Sequence, residues 1–273
     1  ELMMENIWRT ETSISLAKQL AENGSILCPG IYDALGAIIA QQSGFTAAYL
    51  SGASISYMRF ARPDIGLVGM DEIAQTLSQI TERTDLPLIV DADTGFGNAL
   101  NVRRTVALLE RHGAAAIQLE DQKTPKRCGH LDGKTLIDVN EMKGKIRAAI
   151  DSRKSQETLI VARTDAVAVE GIDAAIDRAS QYVEAGAQII FVEAPRNKIE
   201  MEKVSKFLGN KTHLLANMVE GGKTPEFTKI ELEQMKYKII IFPGSLARAV
   251  THLMLKYFSS LRTNGNTKSF KNQ

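Results

Sequence analysis

The amino-acid sequence predicts a single (β/α)8 barrel, and three observations support that fold class. Short apolar runs alternate eight times with longer amphipathic stretches, which is the pattern of successive βα units in a parallel sheet. The length of 273 residues suits one such barrel. The turn after the first run, from Pro29 to Asp33, has no G-x-G-x-x-G sequence, which an open doubly wound sheet would normally carry. We therefore expect one closed-barrel domain over residues 1–273.

The elements follow in order along the chain. A helix is predicted over 12–22, with an Asn-Gly pair as its stop. The eight predicted strands come next, at 26–28, 47–50, 88–90, 115–119, 159–162, 189–192, 213–216 and 239–242. Between them the apolar residues recur at helical spacing, as at Val102, Val106 and Leu109. This order of elements indicates that each strand is followed by its own helix.

Two segments depart from the regular alternation. The connection after the fourth strand is longer than the others, because residues 122–133 precede its helix, and a loop of that kind predicts a lid. The last residues, 263–273, are polar and predict a flexible tail. No Pro-rich, Gly-rich or low-complexity linker divides the chain, so a second domain is not expected.

Composition and charge argue against several classes of protein. The chain has 33 basic and 32 acidic residues, scattered rather than gathered into a basic stripe, so a nucleic-acid partner is not expected. No apolar run reaches the roughly 20 residues that span a bilayer. The two cysteines have different neighbours and do not look like a disulfide framework. We expect a cytoplasmic protein whose partner is a small molecule.

Polar side chains follow almost every predicted strand. Because parallel strands in a closed barrel all point the same way, these side chains must converge on one rim. They are Tyr49, Ser51, Gly52 and Ala53 after the second strand, Asp91 and Asp93 after the third, Glu120 and Asp121 after the fourth, Arg163 after the fifth, Glu193 after the sixth, and Asn217 and Glu220 after the seventh. The forked guanidinium groups of Arg163, and of Arg248 early in the last helix, suit carboxylates. The rim therefore predicts a site for an organic acid.

A metal site is predicted within this rim. Asp91 and Asp93 stand two residues apart at a strand end and are followed by glycines that let the backbone approach a ligand. With Glu120 nearby, their carboxylates form the hard oxygen site that Mg2+ accepts. Any single Asp here can instead cap a helix or pair with Arg163. The complete cluster favours the metal.

Cys128 is the candidate reactive residue of the predicted lid. It lies in the segment Lys-Arg-Cys-Gly-His at 126–130, and its basic neighbours are expected to lower the pKa of the thiol. Closure of the loop would bring the thiol to a bound acid and exclude water. Cys28, in contrast, stands in an apolar run and is expected to be a buried hydrophobe. The alternative is that the lid is an exposed basic loop without function.

Seven segments, taken in order, resemble the isocitrate lyase and phosphoenolpyruvate mutase superfamily, above all its short members, the 2-methylisocitrate and 2,3-dimethylmalate lyases. The segments are 49–52, 63–64, 90–97, 119–122, 126–130, 162–166 and 191–194. The resemblance runs from about Pro29 to the last helix, and the Lys-Arg-Cys-Gly-His segment is the most specific of the seven. The resemblance implies a (β/α)8 barrel whose terminal helix is exchanged with a neighbouring subunit, in a homodimer or a homotetramer.

The resemblance also implies a set of roles for the rim residues. Mg2+, or Mn2+ in its place, would be held chiefly by Asp91 and Asp93, with Asp64 and Glu120 helping through water. The residues implied in substrate binding are Ser51, Gly52, Ala53, Arg163, Glu193, Asn217 and Arg248, joined by Gly129 and His130 after the lid closes. These assignments make the barrel mouth a carboxylate site built around a divalent ion.

The implied reaction is cleavage of a carbon–carbon bond in a 2-hydroxy di- or tricarboxylate of the 2-methylisocitrate or 2,3-dimethylmalate type. The products are pyruvate or a similar 2-oxo acid and a carboxylate such as succinate. The metal acidifies the 2-hydroxyl, a base removes its proton, and Cys128 protonates the enediolate-like product. Tyr49 is the expected base, with Glu120 as the alternative. Phe191 stands where isocitrate-cleaving members carry a bulkier residue, so plain isocitrate is disfavoured.

Three other functions stay open. Mutase or phosphonopyruvate hydrolase chemistry is disfavoured, because the mutases of this superfamily lack the loop cysteine that Cys128 represents here. Oxaloacetate hydrolysis or decarboxylation is poorly separated from lyase activity by sequence. A non-enzymatic binding protein is least favoured, since the acid cluster and the thiol are both intact.

Overall fold

The computed structural model describes residues 13–129, 131 and 133–271. Eight parallel strands pair in chain order, and the eighth pairs with the first, so the sheet closes into a barrel. The strands are β1 Ile26–Ile31, β2 Ala48–Leu50, β3 Leu88–Asp91, β4 Ala116–Glu120, β5 Leu159–Thr164, β6 Ile189–Val192, β7 His213–Asn217 and β8 Tyr237–Phe242. Each predicted apolar run overlaps one of these strands, which confirms the predicted (β/α)8 barrel.

Helices occupy the connections between the strands. They are α1 Leu16–Ala21, α2 Ala34–Gln42, α3 Gly52–Phe60, α4 Met70–Thr81, α5 Ala99–Arg111, α6 Val139–Ser152, α7 Ala166–Val169, α8 Ile172–Glu184, α9 Lys198–Leu208, α10 Lys229–Gln234 and α11 Ser245–Asn264. The helix predicted over 12–22 is α1, and residue 12 lies outside the described residues. Within the described part of the chain, no helix combines the length and the apolar character needed to cross a membrane.

The alternation of side chains along the strands explains where the polar residues go. Successive side chains in a strand point to opposite faces of the sheet, here the barrel interior and the helix layer. The interior residues include Ile89, Val161, Phe191 and Leu215. The residues two positions further along the chain are Asp91, Arg163, Glu193 and Asn217. The same alternation that fills the barrel with apolar side chains therefore directs these polar groups into its mouth.

The last helix, α11, is exceptional because it is long and almost entirely uncovered. Among its 20 residues only Ala247 is buried, and its contacts with the barrel lie mainly with β1 and α3. Its exposed large apolar residues are Leu253, Met254, Leu255 and Phe258. After the helix the chain turns back, and the Phe270 ring meets the Tyr257 ring edge-on, with centroids 5.3 Å apart. The flexibility expected of residues 263–273 stays a prediction.

Candidate active site

Most of the predicted site residues meet at one cavity in the carboxyl-terminal mouth of the barrel. The cavity is lined by Tyr49, Ser51, Ala53, Asp64, Asp91, Cys128, Gly129, Arg163, Glu193, Asn217 and Arg248. Asp93 and Glu120 join Asp91 in a buried acid cluster beside it. His130 lies outside the described residues. The convergence on one rim that the sequence predicts is therefore present for these residues.

The acid cluster consists of three buried carboxylates from two neighbouring strands. Asp91, Asp93 and Glu120 each offer an oxygen, and these oxygens lie within 4.8 Å of one another. Burial raises the pKa of Asp93 to about 7, against the opposing effect of the Lys126 ammonium, and it raises the pKa of Glu120 well above its usual range. The ionised cluster is therefore costly unless further positive charge lies beside it.

One cation already lies against these acids. Lys126, in the segment after β4, places Nζ 2.5 Å from Oδ1 of Asp64 and 2.9 Å from Oδ1 of Asp93. Oε1 of Glu120 is also buried, and it has no hydrogen-bond partner among the described residues. An all-oxygen donor set with an unsatisfied carboxylate oxygen suits a hard divalent cation. The residues present thus fit the Mg2+ or Mn2+ that the sequence resemblance implies.

The backbone after β3 turns sharply to present Asp93. Asp93 has φ +46°, a left-handed conformation that Asp adopts more readily than most residues. Gly95 follows with φ +85°, and a Cβ there would stand 2.5 Å from Cγ2 of Val102 on α5. The turn therefore needs glycine at this point, both for its conformation and for its close approach to α5.

The start of α3 forms another wall of the cavity. Ser51 caps the helix, its hydroxyl accepting a hydrogen bond from the Ser54 N–H at 3.1 Å. Gly52 and Ala53 belong to the first turn, whose N–H groups have no partners within the helix. A Cβ at Gly52 would stand 3.3 Å from Oδ2 of Asp91, so this turn packs directly on the acid cluster. Such a helix start stabilises a bound carboxylate.

Arg163 is held in place by carboxylates on several sides. Its Nε and Nη2 donate to the two oxygens of Asp165 at 3.0 and 2.9 Å. Nη1 lies 3.4 Å from Oε2 of Glu193, and Nε lies 3.5 Å from Oε2 of Glu120. The guanidinium also stacks over the Phe191 ring at 5.1 Å. Its orientation is therefore fixed before any ligand binds.

Tyr49 and Asn217 face the cavity from opposite sides. The Tyr49 hydroxyl donates to Oε1 of Gln118 at 3.1 Å, and burial together with the charge of Asp91 raises the pKa of Tyr49 well above its usual value. The phenol is accordingly neutral in this arrangement. Asn217 donates from Nδ2 to Oε2 of Glu193 at 3.2 Å, while its own Oδ1 is buried without a partner among the described residues.

The segment after β4 covers the cavity. Gln122 binds the backbone N–H and carbonyl of Arg127, each at 2.9 Å, which shapes the approach to Cys128. Gly129 lies so close to the site that a Cβ there would stand 2.6 Å from both Nη2 of Arg163 and Cδ of Glu193. The space left below is about 80 Å3, against roughly 300–1,000 Å3 for an ordinary ligand pocket. The segment is thus seated over the mouth.

Two residues expected at the rim do not face the cavity. Asp121 turns to the helix layer, where it accepts hydrogen bonds from the Thr164 hydroxyl and the Tyr182 hydroxyl, both at 2.7 Å. It follows Glu120 directly, so strand alternation places it on the opposite face, and that signal was available in the sequence. Glu220 lies further out and pairs with Arg248, 2.9 Å away, where both side chains are about half exposed.

Three residues that connect parts of the site were assigned no role from the sequence. They are Lys126, Lys134 and Asp165. Lys126 was part of a matched segment, yet its contacts with Asp64 and Asp93 had no signal in the sequence. Lys134 and Asp165 form a buried ion pair at 3.0 Å. A lysine beside a loop is usually an exposed residue, so only the folded chain reveals this pair.

Comparison with known proteins places this site in a family. The sequence model of phosphoenolpyruvate phosphomutase matches residues 16–262. The 2,3-dimethylmalate lyase of Eubacterium barkeri is 41% identical over 256 residues, covering 94% of this chain and 88% of that protein. The 2-methylisocitrate lyase of Aeropyrum pernix is 49% identical over 234 residues, covering 86% and 74%. The resemblance noted in the sequence is confirmed.

Solved structures are similar over nearly the whole chain. A 2,3-dimethylmalate lyase superposes with a TM-score of 0.88 at 33% identity, covering 94% of this chain and 86% of that one. An oxaloacetate acetylhydrolase in complex with 3,3-difluorooxalacetate gives 0.89 at 31%, covering 94% and 90%. A phosphonopyruvate hydrolase in complex with oxalate and Mg2+ gives 0.84 at 29%, covering 94% and 88%.

The two arginines of the site allow a direct test of its electrostatics. Arg163→Met leaves buried carboxylates without their partner, and we expect it to lower the free energy of unfolding by about 3–5 kcal/mol. Arg248→Met breaks an ion pair in which the arginine is 53% exposed, and we expect a loss of about 1 kcal/mol or less. Urea denaturation measures both, and equal losses would contradict the assignment of Arg163 as the central cation.

Proposed function

We propose, from the premise that the chain belongs to the phosphoenolpyruvate phosphomutase family, that it is a carbon–carbon lyase of the 2-methylisocitrate and 2,3-dimethylmalate lyase type. Its substrate is a 2-hydroxy di- or tricarboxylate, and its products are pyruvate or a similar 2-oxo acid and a carboxylate such as succinate. The observation that carries this proposal is the Cys128 thiol on a segment seated over a buried carboxylate cluster.

The acid cluster is the proposed site of Mg2+, with Mn2+ as a substitute. Asp91 and Asp93 would bind the ion directly, while Asp64 and Glu120 would act through water. When bound, the ion supplies Lewis-acid polarisation of the substrate oxygens and lowers the pKa of the 2-hydroxyl. The phosphonopyruvate hydrolase solved with oxalate and Mg2+ supports this choice of ion. Lys126 adds positive charge on the side of Asp64 and Asp93.

The substrate carboxylates would be bound by groups on several strands. The first turn of α3, with Gly52 and Ala53, would offer N–H groups to one carboxylate, beside the side chain of the N-cap residue Ser51. Arg163, Glu193 and Asn217 would contact the substrate from the far wall, and Arg248 from the outer edge. Gly129 and His130 would complete the enclosure. Because Arg163 and Glu193 are already oriented by ion pairs, little ordering is needed when the substrate binds.

The proposed reaction moves one proton away from the substrate and one toward it. A base removes the proton of the 2-hydroxyl, the new carbonyl forms, and the bond from the carbinol carbon to the next carbon breaks. The electron pair passes to the departing carboxylate fragment, and Sγ of Cys128 donates a proton to that carbon. Tyr49 is the proposed base and would act as its phenolate, which the positive charge of the bound ion would have to stabilise against the burial that raises its pKa; Glu120, whose Oε1 is unsatisfied, is the alternative. A reducing, cytoplasmic compartment suits the reactive thiol.

Oxaloacetate hydrolysis is the second candidate function. It is favoured by the similarity to the oxaloacetate acetylhydrolase structure over 94% of the chain. An assay that detects 2-oxo acids as well as acetate and oxalate, run on 2-methylisocitrate, 2,3-dimethylmalate, isocitrate and oxaloacetate with and without Mg2+, separates the two. We expect Mg2+-dependent pyruvate release from one of the first two acids. Acetate and oxalate formed from oxaloacetate alone would favour the second candidate.

The thiol is tested by two cysteine variants. We expect Cys128→Ser to lower the rate of cleavage by about 10^2- to 10^4-fold, the usual contribution of a general acid, because a hydroxyl donates its proton far less readily than a thiol. The matched control is Cys28→Ala, which alters the fully buried thiol inside the barrel and should keep most of the activity. Full activity in Cys128→Ser would remove the thiol from the mechanism.

The metal site is tested by titration calorimetry with Mg2+. We expect Asp93→Ala to lose both measurable Mg2+ binding and turnover, because it removes an oxygen from the buried cluster. Asp138→Ala is the control, since Asp138 caps α6 through the Asn140 N–H and stands outside the cluster. Unchanged Mg2+ affinity in Asp93→Ala would place the ion elsewhere.

The protein is also proposed to be a homo-oligomer, a dimer or tetramer, in which α11 is exchanged between subunits. An exposed apolar face on a 20-residue helix, with Met254, Leu255 and Phe258, suits burial against a second copy. Exposed Leu35 and Ile39 on α2 line the groove beside the start of α11 and offer matching apolar surface.

Light scattering tests this assembly. We expect an oligomeric mass for the wild-type protein and a shift toward the monomer in Leu255→Asp, because a charge at this position opposes burial of the helix face. Lys256→Gln, at the next and already polar position, should keep the wild-type mass. A monomeric wild-type protein would contradict the proposed exchange.

A further inference from the structure

Lys134 is a buried lysine just beyond the segment that covers the cavity. Its side chain is only 1% exposed. Nζ donates to Oδ1 of Asp165 at 3.0 Å and, at short range, to the backbone carbonyl of Gly129. A buried ammonium is costly unless it is paired and hydrogen-bonded. The two contacts of Lys134 therefore link the covering segment to Asp165, the residue directly after strand β5.

Asp165, the carboxylate that Lys134 contacts, is held rigidly. Asp165 is completely buried and binds Arg163 through both of its oxygens, so Oδ1 is shared by Lys134 and by Nη2 of Arg163. On the side of the helix layer, the Asp165 backbone N–H donates to Oδ1 of Asp121 at 2.9 Å. Lys134 thus contacts a carboxylate that is fixed by the arginine of the site and by the helix layer.

The second contact of Lys134 is with the carbonyl of Gly129, the residue next to the reactive thiol. Gly129 follows Cys128 directly and packs against Arg163 and Glu193. Holding the Gly129 carbonyl therefore sets where Cys128 stands over the mouth. The cavity beneath, about 80 Å3, has the volume of only two or three liquid water molecules at about 30 Å3 each. A dicarboxylic acid enters only if this segment moves, so its seating must be reversible.

We infer that Lys134 is a positioning residue that holds the segment of Cys128 and Gly129 over the barrel mouth by bridging the Gly129 carbonyl to Asp165. Its effect on catalysis rests on the proposed function, whereas its effect on the seating of the segment does not. Lys134 sets the equilibrium between the seated and the displaced positions of the segment. It also links that equilibrium to Asp165, the carboxylate that orients Arg163.

The test is the rate at which N-ethylmaleimide alkylates Cys128. Cys28 is fully buried and serves as an internal reporter of global unfolding. We expect Lys134→Met and Lys134→Gln to raise the Cys128 rate by roughly tenfold or more, since each loses a charge-assisted hydrogen bond that seats the segment. Lys134→Arg, which keeps the charge and the donors, should return the rate toward the wild-type value. Rates measured across pH separate accessibility from a changed thiol pKa.

A second lysine provides the matched control. Lys238 donates to the carbonyls of Glu22 and Gly24 at the opposite end of the barrel, so Lys238→Met should leave the Cys128 rate unchanged. An unchanged Cys128 rate in both Lys134→Met and Lys134→Gln would overturn the inference. It would also be overturned if Cys28 became reactive together with Cys128 in every Lys134 variant, because Lys134 would then support the barrel as a whole.

Catalysis supplies an independent readout. For the acid that the wild-type protein cleaves, we expect Lys134→Met to lower kcat by tenfold or more with a smaller change in KM, since the misplaced group is the proton donor. Alkylation needs no substrate. A protein that cleaves none of the tested acids but shows the Lys134-dependent alkylation would therefore contradict the proposed function and leave the positioning inference standing.

Discussion

This site depends on one constraint: the charges of its buried side chains must compensate one another, because water is excluded from them. The buried or nearly buried carboxyl groups at the mouth are Asp64, Asp91, Asp93, Glu120, Asp165 and Glu193. The buried cations facing them among the described residues are Lys126, Lys134 and Arg163. Isolated charges are too costly to bury, so each acid must find a cation, a proton or a metal ion. A divalent ion at the acid cluster would supply the positive charge that the side chains do not.

The same constraint joins the parts of the site to one another. Arg163 faces Asp165, Glu193 and Glu120, so residues at the ends of three neighbouring strands, β4, β5 and β6, share one guanidinium. Lys126 lies in the covering segment and Lys134 lies just beyond it, and both pair with buried acids. Seating the segment therefore delivers positive charge to the acids at the same time as it excludes water. The chemistry of the site and the closure of the covering segment are coupled, because both depend on the same ion pairs.

The family fold hosts lyases, hydrolases and mutases, and the present chain shares the barrel with all of them. Fold alone does not choose among these reactions, because the chemistry depends on the residues that each protein places at the mouth of the barrel. A thiol next to Gly129 can protonate a carbanion-like product, which is the step that a carbon–carbon lyase requires. The proposed function therefore depends on Cys128 more than on the acid cluster.

Local patterns in the sequence determined much of the fold and of the candidate site. Apolar runs of strand length, repeated eight times, specify the barrel, and strand alternation directs Asp91 and Arg163 to its mouth, because both signals act within a few neighbouring residues. The orientation of Asp121 followed from the same alternation. The ion pair of Lys126 with Asp64 joins residues 62 positions apart. No local pattern predicts which buried acid such a lysine meets, since that depends on how the covering segment packs, and only the tertiary structure decided it.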